Sequence, residues 1–440
     1  MNLEFPDADT LRGANDHTAA DLPQFAVAHQ QQDVRSVDDV PAAARDAVDA
    51  IDAFGDGPAA LPPGAEVGVT VGSRGIHDMP ATIAAAIDEL DKRGYEPFVI
   101  PAMGSHGGAT AEGQVETLEA LGYSESTLGC PIRSSMDVEV VGEDELERPV
   151  YASVDALNAD AVLLANRVKL HTDFRGDVES GLSKIAVVGL GKHRGAESLH
   201  NAAIATDFAD VIQDRMGVLL AETPIVGGIA LIENAEDRAA HIEGVNAAAI
   251  PEREPELLEI AYEEFANLPV DELDMLIVDA AGKDKSGTGM DTNVLGRYAF
   301  HGEAEPETPS VTRVYVRSLT EPSHGNALGV GLADFVHEEF VADIDFDDTY
   351  VNIITSGETR RAQIPFVVPD DETALLLACS TTGVAGPEEL RVARIPSTME
   401  PNRLVVSEPV AEELRERSDV EVGPLRPLSF DDGRLPPDPY

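Results

Sequence analysis

The chain has 440 residues, with 31 Lys and Arg against 81 Asp and Glu, a formal net charge of −50. That balance excludes a basic nucleic-acid-binding face, and no run of about 18 apolar residues is present to cross a membrane. A hydrophobic content of 43% marks a folded chain rather than a disordered one, and its length suits two or three domains of roughly 100–200 residues each. In chain order, residues 1–60 read as a loosely structured lead-in with short helices. GAEVGVTVGSR (64–74) follows as a strand, with Val67, Val69 and Val71 alternating at period two. MPATIAAAIDELDKRG (79–94) is a helix with Ile83, Ile87 and Leu90 on one face, stopped by Gly94. EPFVIPA (96–102) is a strand that opens into the loop MGSHGGAT, and AEGQVETLEALG (111–122) is a helix.

This βαβ order predicts a parallel sheet with helices on its faces. The pattern continues through VEVVG, DAVLLANRVKLHT (160–172) and SKIAVVGLG (183–191), all read as strands, then a helix near RGAESLHNAAIA. IVGGIALIE is a further strand, and the amphipathic helix PEREPELLEIAYEEFANL (251–268) is a natural boundary. DELDMLIVDAAG, RVYVRSL, a helical GNALGVGLADFVHEEF and a helix around ALLLAC compose the second region, before a loosely held tail, RPLSFDDGRLPPDPY. The expected fold class is α/β: two α/β domains, 1–268 and 269–440, with largely parallel sheets and an active-site cleft between them.

The acidic residues are spread along the chain, which suits a salt-loaded cytoplasm, where the Debye length falls to about 3 Å and self-repulsion is screened. The N-terminal MNLEFPDADT lacks the basic and apolar regions of a signal peptide. Cys130 and Cys379 are isolated, without metal or disulfide spacing. A cytoplasmic protein is expected. Against this background lysine is informative, because only six are present: Lys92, Lys169, Lys184, Lys192, Lys283 and Lys285. Five of them fall in two glycine-rich segments. A lysine amine can lose its proton and act as a nucleophile, which guanidinium effectively cannot.

Four segments concentrate chemistry, and in open α/β sheets the loops after strands are where ligands bind. Gly104-Ser105-His106-Gly107-Gly108 presents one imidazole on a flexible backbone, suited to acid–base work. Lys169 to Gly176 packs a cation, His171, Asp173 and Arg175 behind an apolar strand. Ser180 to Lys184 leads into Gly189-Leu190-Gly191-Lys192, which before a helix suits a phosphate although it lacks Walker spacing. His200 lies sixteen residues past Lys184 and is a candidate lone metal ligand. Gly282 to Asp291, with Lys283 and Lys285, suits an anionic substrate. HExxH, GxSxG in its strand–turn–helix setting and the full GxGxxG fingerprint are absent.

Taken in order, GSHGGAT, KLHTDFRGDVESGLSK, GLGKHRGAE with His200, and GKDKSGTGMDTNVLGR resemble the nickel-dependent lactate racemase family, over about Val67 to Arg297. The resemblance implies two α/β domains and a nickel-pincer nucleotide, a pyridinium mononucleotide with two sulfur arms and a carbon–nickel bond. It implies Lys184 as the covalent cofactor anchor and His200 as the nickel ligand. His106 and His171 match the acid–base pair, and Arg74 an arginine beside substrate and cofactor. Gly189 and Gly191 fall to the cofactor, and Lys283 or Lys285 to the substrate. The implied reaction is racemisation of a 2-hydroxy acid, most simply lactate, by reversible hydride transfer through a 2-keto acid. The implied partners are that small acid and the cofactor-synthesis enzymes, with no nucleic acid or membrane. The family's Asp-x-Thr-Arg is here Val71-Gly72-Ser73-Arg74, the Arg after GSH is Gly107, and its SGGxK is Ser180 to Lys184 with Leu182 and Ser183 inside. These departures leave open a larger substrate such as malate or a sugar acid. Two further alternatives are a non-catalytic nickel or cofactor carrier and a phosphate-ligand enzyme using GLGK.

Overall fold

The computed structural model describes residues 4–14, 16–32, 34–203, 206–356 and 358–437, without the side chains of residues 200, 203, 355 and 356. Among these residues the strands are, in chain order, β1 (Phe25–Gln30), β2 (Glu66–Val71), β3 (Glu96–Pro101), β4 (Val138–Glu143), β5 (Pro149–Ser153), β6 (Ala161–Arg167), β7 (Ile225–Glu233) and β8 (Ala239–Asn246). They continue as β9 (Glu272–Ala281), β10 (Ser310–Leu319), β11 (Phe335–His337), β12 (Phe366–Val368), β13 (Val392–Ile395), β14 (Arg403–Ser407) and β15 (Val420–Val422). The protein is an α/β chain of two units: residues 34–265, and residues 266–440 joined by residues 1–33.

In the 34–265 unit, a sheet runs in the order β3-β2-β6-β7-β8, with only β8 antiparallel to its neighbour. Val67, Val69 and Val71 are buried, and so are Gly68 and Thr70 between them. Burial on both faces of a strand is what helix-covered parallel sheets require. The helix Met79–Lys92 joins β2 to β3, carries Pro80 in its first turn, and buries Ile83, Ile87 and Leu90. Each such side chain contributes roughly 1.5–3 kcal/mol when removed from water. Gly94 follows at φ +86°, a left-handed position where glycine has no Cβ to strain.

The other unit carries an eight-stranded sheet ordered β12-β11-β10-β9-β13-β14-β1-β15. Strands β9 to β13 are mutually parallel, whereas β14, β1 and β15 pair antiparallel. Residues 1–33 thus lie with the second region, rather than in a first domain of 1–268 as the sequence reading has it. FAVAHQ is strand β1, paired along its length with β14. The tail is also tied in: Arg426 exchanges backbone hydrogen bonds with Phe25, Leu435 is buried, and Leu428 and Phe430 pack on the same core.

Two further expectations change. SKIAVVGLG is not a strand: Leu182–Lys184 begins a helical run, Ile185–Leu190 continues it as a π-helix, and after a break at Gly191 and Lys192 (φ +53°) the helix Lys192–Ala203 follows. Its β-branched residues find their burial on a helix against the loop after β3, so tertiary packing overrides local propensity. GNALGVGLADFVHEEF is not one helix either. It forms a turn at Val330–Leu332, strand β11, and the short helix Glu338–Ala342.

Candidate active site

The path of the 34–265 sheet fixes where its loops meet. From β2 the chain crosses to β3 on one side and later returns to β6 on the other. Ligands in open α/β sheets sit at the carboxyl ends of strands flanking such a switch point. The loops leaving β3, β2 and β6 carry His106, Arg74 and the 168–184 segment respectively.

His106 is placed by its own loop. Its Nδ1 lies 3.0 Å from the Met103 carbonyl. A carbonyl only accepts, so the neutral ring carries its proton on Nδ1 and leaves a lone pair on Nε2. Burial lowers its pKa, the Met103 bond opposes that, and the positive charge of Arg74 lowers it further. His106 is therefore an uncharged base near neutrality.

The loop after β6 is closed by paired backbone hydrogen bonds between Lys169 and Ser180. Within it, the backbone N–H of His171 donates to Glu179 at 2.6 Å, and the Tyr262 hydroxyl donates to the same carboxylate at 2.5 Å. Phe174, itself stacked on Phe208, lies 4.4 Å centroid to centroid from the His171 ring. His171 Nδ1 accepts from the Asp173 N–H at 3.1 Å, and its Nε2 contacts the Lys184 amine. The two histidines thus present opposite tautomers, Nδ1–H at His106 and Nε2–H at His171.

Lys184 ends the first turn of the helical run and keeps partial solvent exposure. Dense packing around its amine pulls its pKa down to about 8, and the positive charges of Lys169 and Arg74 add to the fall while Asp173 and Glu179 oppose it. Burial disfavours the ammonium because a low-dielectric surrounding cannot replace its water shell. The exposed Arg74 guanidinium has no hydrogen bond or ion pair among the described residues. Arg74, His106, His171 and Lys184 therefore form one cluster.

Gly189 lies inside the π-helix, and Gly191 is the turn residue that closes it, just before Lys192 at φ +53° and the next helix. A Cβ on Gly189 would meet the Ala102 carbonyl oxygen at 2.6 Å, and one on Gly191 the Val187 carbonyl oxygen at 2.5 Å. Close helix packing accounts for both glycines. His200 sits in the helix Lys192–Ala203, but its side chain lies outside the described residues. Among the described residues no group of three or more His, Cys, Asp and Glu is placed to hold a metal. Lys283 and Lys285 belong to the other unit, in the loop leaving β9, where the chain switches between β10 and β13. The Lys283 amine donates back to the Gly287 carbonyl at 2.6 Å, and Lys285 pairs with Asp284 at 3.5 Å.

Three residues support the site, of which sequence reasoning missed Glu254 and Gln114 and noted Lys192. Glu254, 2% exposed, accepts from the Ser183 N–H at 3.0 Å and also from the Ser183 hydroxyl. It thereby caps the helical run that carries Lys184. Gln114 donates to the carbonyls of Gly104 (3.0 Å) and His106 (3.4 Å), holding the histidine loop. Lys192, fully buried, donates to Pro101 O at 2.5 Å and to Gln114 Oε1 at 3.0 Å. The one sequence signal was the scarcity of lysine, which singled out Lys192 without giving its task.

No protein-family profile matches the chain, and no characterised protein matches it by sequence. Among solved structures it is similar to the lactate racemase apoprotein from Thermoanaerobacterium thermosaccharolyticum, with a TM-score of 0.50 and 12% identity, covering 86% of this chain and 98% of that one. At that identity the likeness is one of fold. Among the described residues no helix is long and apolar enough to cross a membrane.

Proposed function

We propose that the protein is an isomerase that racemises a 2-hydroxy acid, with lactate the simplest substrate, using a nickel-pincer nucleotide anchored on Lys184. The observation that carries this reading is the gathering of a pKa-depressed lysine, two histidines of opposite tautomer and an unpaired arginine at one switch point. The described residues suit the organic part of such a group. The Lys184 amine can be acylated near neutral pH, because the uncharged form is accessible there. His200 is proposed as the nickel ligand from its place in the motif. Loading would be carried out by cofactor-synthesis enzymes.

When bound, the cofactor supplies the acceptor for the Cα hydride, the step that side chains cannot perform. The chain's own residues handle charge and protons. Arg74 binds the substrate carboxylate through its planar fork of donors. His106 takes the hydroxyl proton on its bare Nε2. His171, bearing Nε2–H, supplies the proton needed from the other side. General acid–base assistance of this kind is worth roughly 10²–10⁴-fold. Two imidazoles of complementary protonation suit a reaction that must run from either enantiomer. Lys283 and Lys285 are given no step.

A second substrate reading has a specific observation behind it. Lys169 and Arg74 both act electrostatically on Lys184, so two cations stand near the anchor, enough for a dicarboxylate such as malate. The test is to co-produce the protein with cofactor-synthesis enzymes and incubate it with pure enantiomers of lactate and malate. Chiral chromatography should show one of them equilibrating, and Lys184→Ala should abolish it. Full racemisation by that variant defeats the assignment.

A further inference from the structure

Two hydrogen bonds fix the proton of His171. The Asp173 N–H donates to Nδ1 at 3.1 Å, so Nδ1 must present a lone pair, and neither an imidazolium nor an Nδ1–H tautomer fits. The neutral ring then carries its single proton on Nε2. That same Nε2 is the atom in contact with the Lys184 amine. An ammonium has three donors and no acceptor, so it would set donor against donor. For an ammonium to donate here, the ring would have to lose both protons. A neutral amine is different, because its lone pair accepts from Nε2–H.

We propose that, in the unloaded protein, His171 holds Lys184 as an uncharged amine, and that acylation of the lysine is what releases His171 for work on substrate. The second half follows from the nitrogen's chemistry. Once acylated, its lone pair is delocalised and it offers only an N–H, so the Nε2–H···N bond cannot persist. His171 is a positioning residue before loading and a catalytic one afterwards, which orders the two events. Facing the amine are Asp173 and Glu179 with negative charge, Lys169 and Arg74 with positive charge, and His106. Phe174, itself stacked on Phe208, lies against the His171 ring, and burial moves the lysine in the same direction as the histidine contact. The inference deepens the proposed function and rests on it for the identity of the natural acyl group. The protonation states are properties of the chain without cofactor.

The experiment uses the full-length protein without cofactor. Nitrogen-15 NMR of labelled histidine reads the His171 tautomer, assigned by the resonance lost in His171→Phe. Competitive acetylation with acetic anhydride across pH, followed by peptide mass mapping, reads each lysine. In that reaction the amine nitrogen bonds to the acyl carbon, acetate leaves, and the amine proton passes to solvent. The expected result is an Nε2–H tautomer and half-maximal Lys184 reactivity far below that of the surface residue Lys92. His171→Phe keeps the site apolar but removes the donor, so Lys184 reactivity near pH 7.5 should fall about tenfold, one unit of pKa. Acetylation of Lys184 should in turn shift the His171 resonances. An Nδ1–H ring, or a Lys184 midpoint unchanged in His171→Phe, overturns the proposal. If the variant does not fold, the wild-type tautomer and the acetylation shift decide alone. Failure of the anchor reading would show separately, as absence of a cofactor adduct on Lys184 with the tautomer unchanged.

Discussion

Glu254→Gln isolates the cap beneath the cofactor lysine. Burial raises the Glu254 pKa from 4.5 to about 7, against the opposing bonds from Ser183 and the Leu182 N–H. The folded protein therefore holds a proton that the unfolded chain releases, so stability is fully present below pH 4.5 and is lost as pH rises toward 7. A shift of about 2.5 units corresponds to about 3 kcal/mol. Glutamine keeps an acceptor for Ser183 and never ionises. Its stability should match the wild type within about 1 kcal/mol at pH 4.5 and exceed it by about 3 kcal/mol at pH 8. Urea denaturation followed by circular dichroism at fixed ionic strength, from pH 4.5 to 8, measures the difference. A difference that stays flat over that range, or a glutamine variant less stable at pH 8, refutes the reasoning.

Gly181→Ala would place a Cβ 1.9 Å from Glu254 Oε1, and a clash with a fully packed carboxylate should cost more than about 2 kcal/mol. A thermal melt reads that loss, and peptide mass mapping should show less modification of Lys184. Gln114→Leu frees the carbonyls of Gly104 and His106 and strips Lys192 of one acceptor. It should lower stability by roughly 1–3 kcal/mol and reduce kcat/KM more than substrate affinity, as steady-state kinetics would show. Lys192 is held down to about pKa 8 by burial, so its contribution is present above the unfolded value of 10.5 and is lost as pH falls toward 8. Between pH 8 and 10 the wild type should gain about 1.4 kcal/mol per unit relative to Lys192→Met, a slope that paired denaturation curves can read.

The elements that position the site were largely legible in the sequence. The alternating valines of β2, the Ile83/Ile87/Leu90 face and Gly94 each announce one local geometry, and the structure keeps all three. The parallel order then makes neighbours of loops about thirty and a hundred residues apart, so His106, Arg74 and Lys184 could be grouped before any coordinates. What stayed hidden depends on pairs of distant residues. IAVV reads as a strand until Gly189 is seen against Ala102. Glu254 reads as one acid among many on an amphipathic helix, and only its approach to Gly181 and Ser183 marks it as buried. FAVAHQ carries too little β-branched or aromatic character to stand out, and its partners lie almost four hundred residues away in β14 and β15.

The claim on which the rest depends is that Lys184 is a nucleophilic anchor within one cluster with His106 and His171. The most direct measurement is a peptide mass map, with nickel analysis, of the protein co-produced with cofactor-synthesis enzymes. The expected result is an added mass on the peptide containing Lys184, absent from Lys184→Ala, with nickel in proportion. An unmodified Lys184 in nickel-containing protein that still interconverts 2-hydroxy acid enantiomers would contradict it.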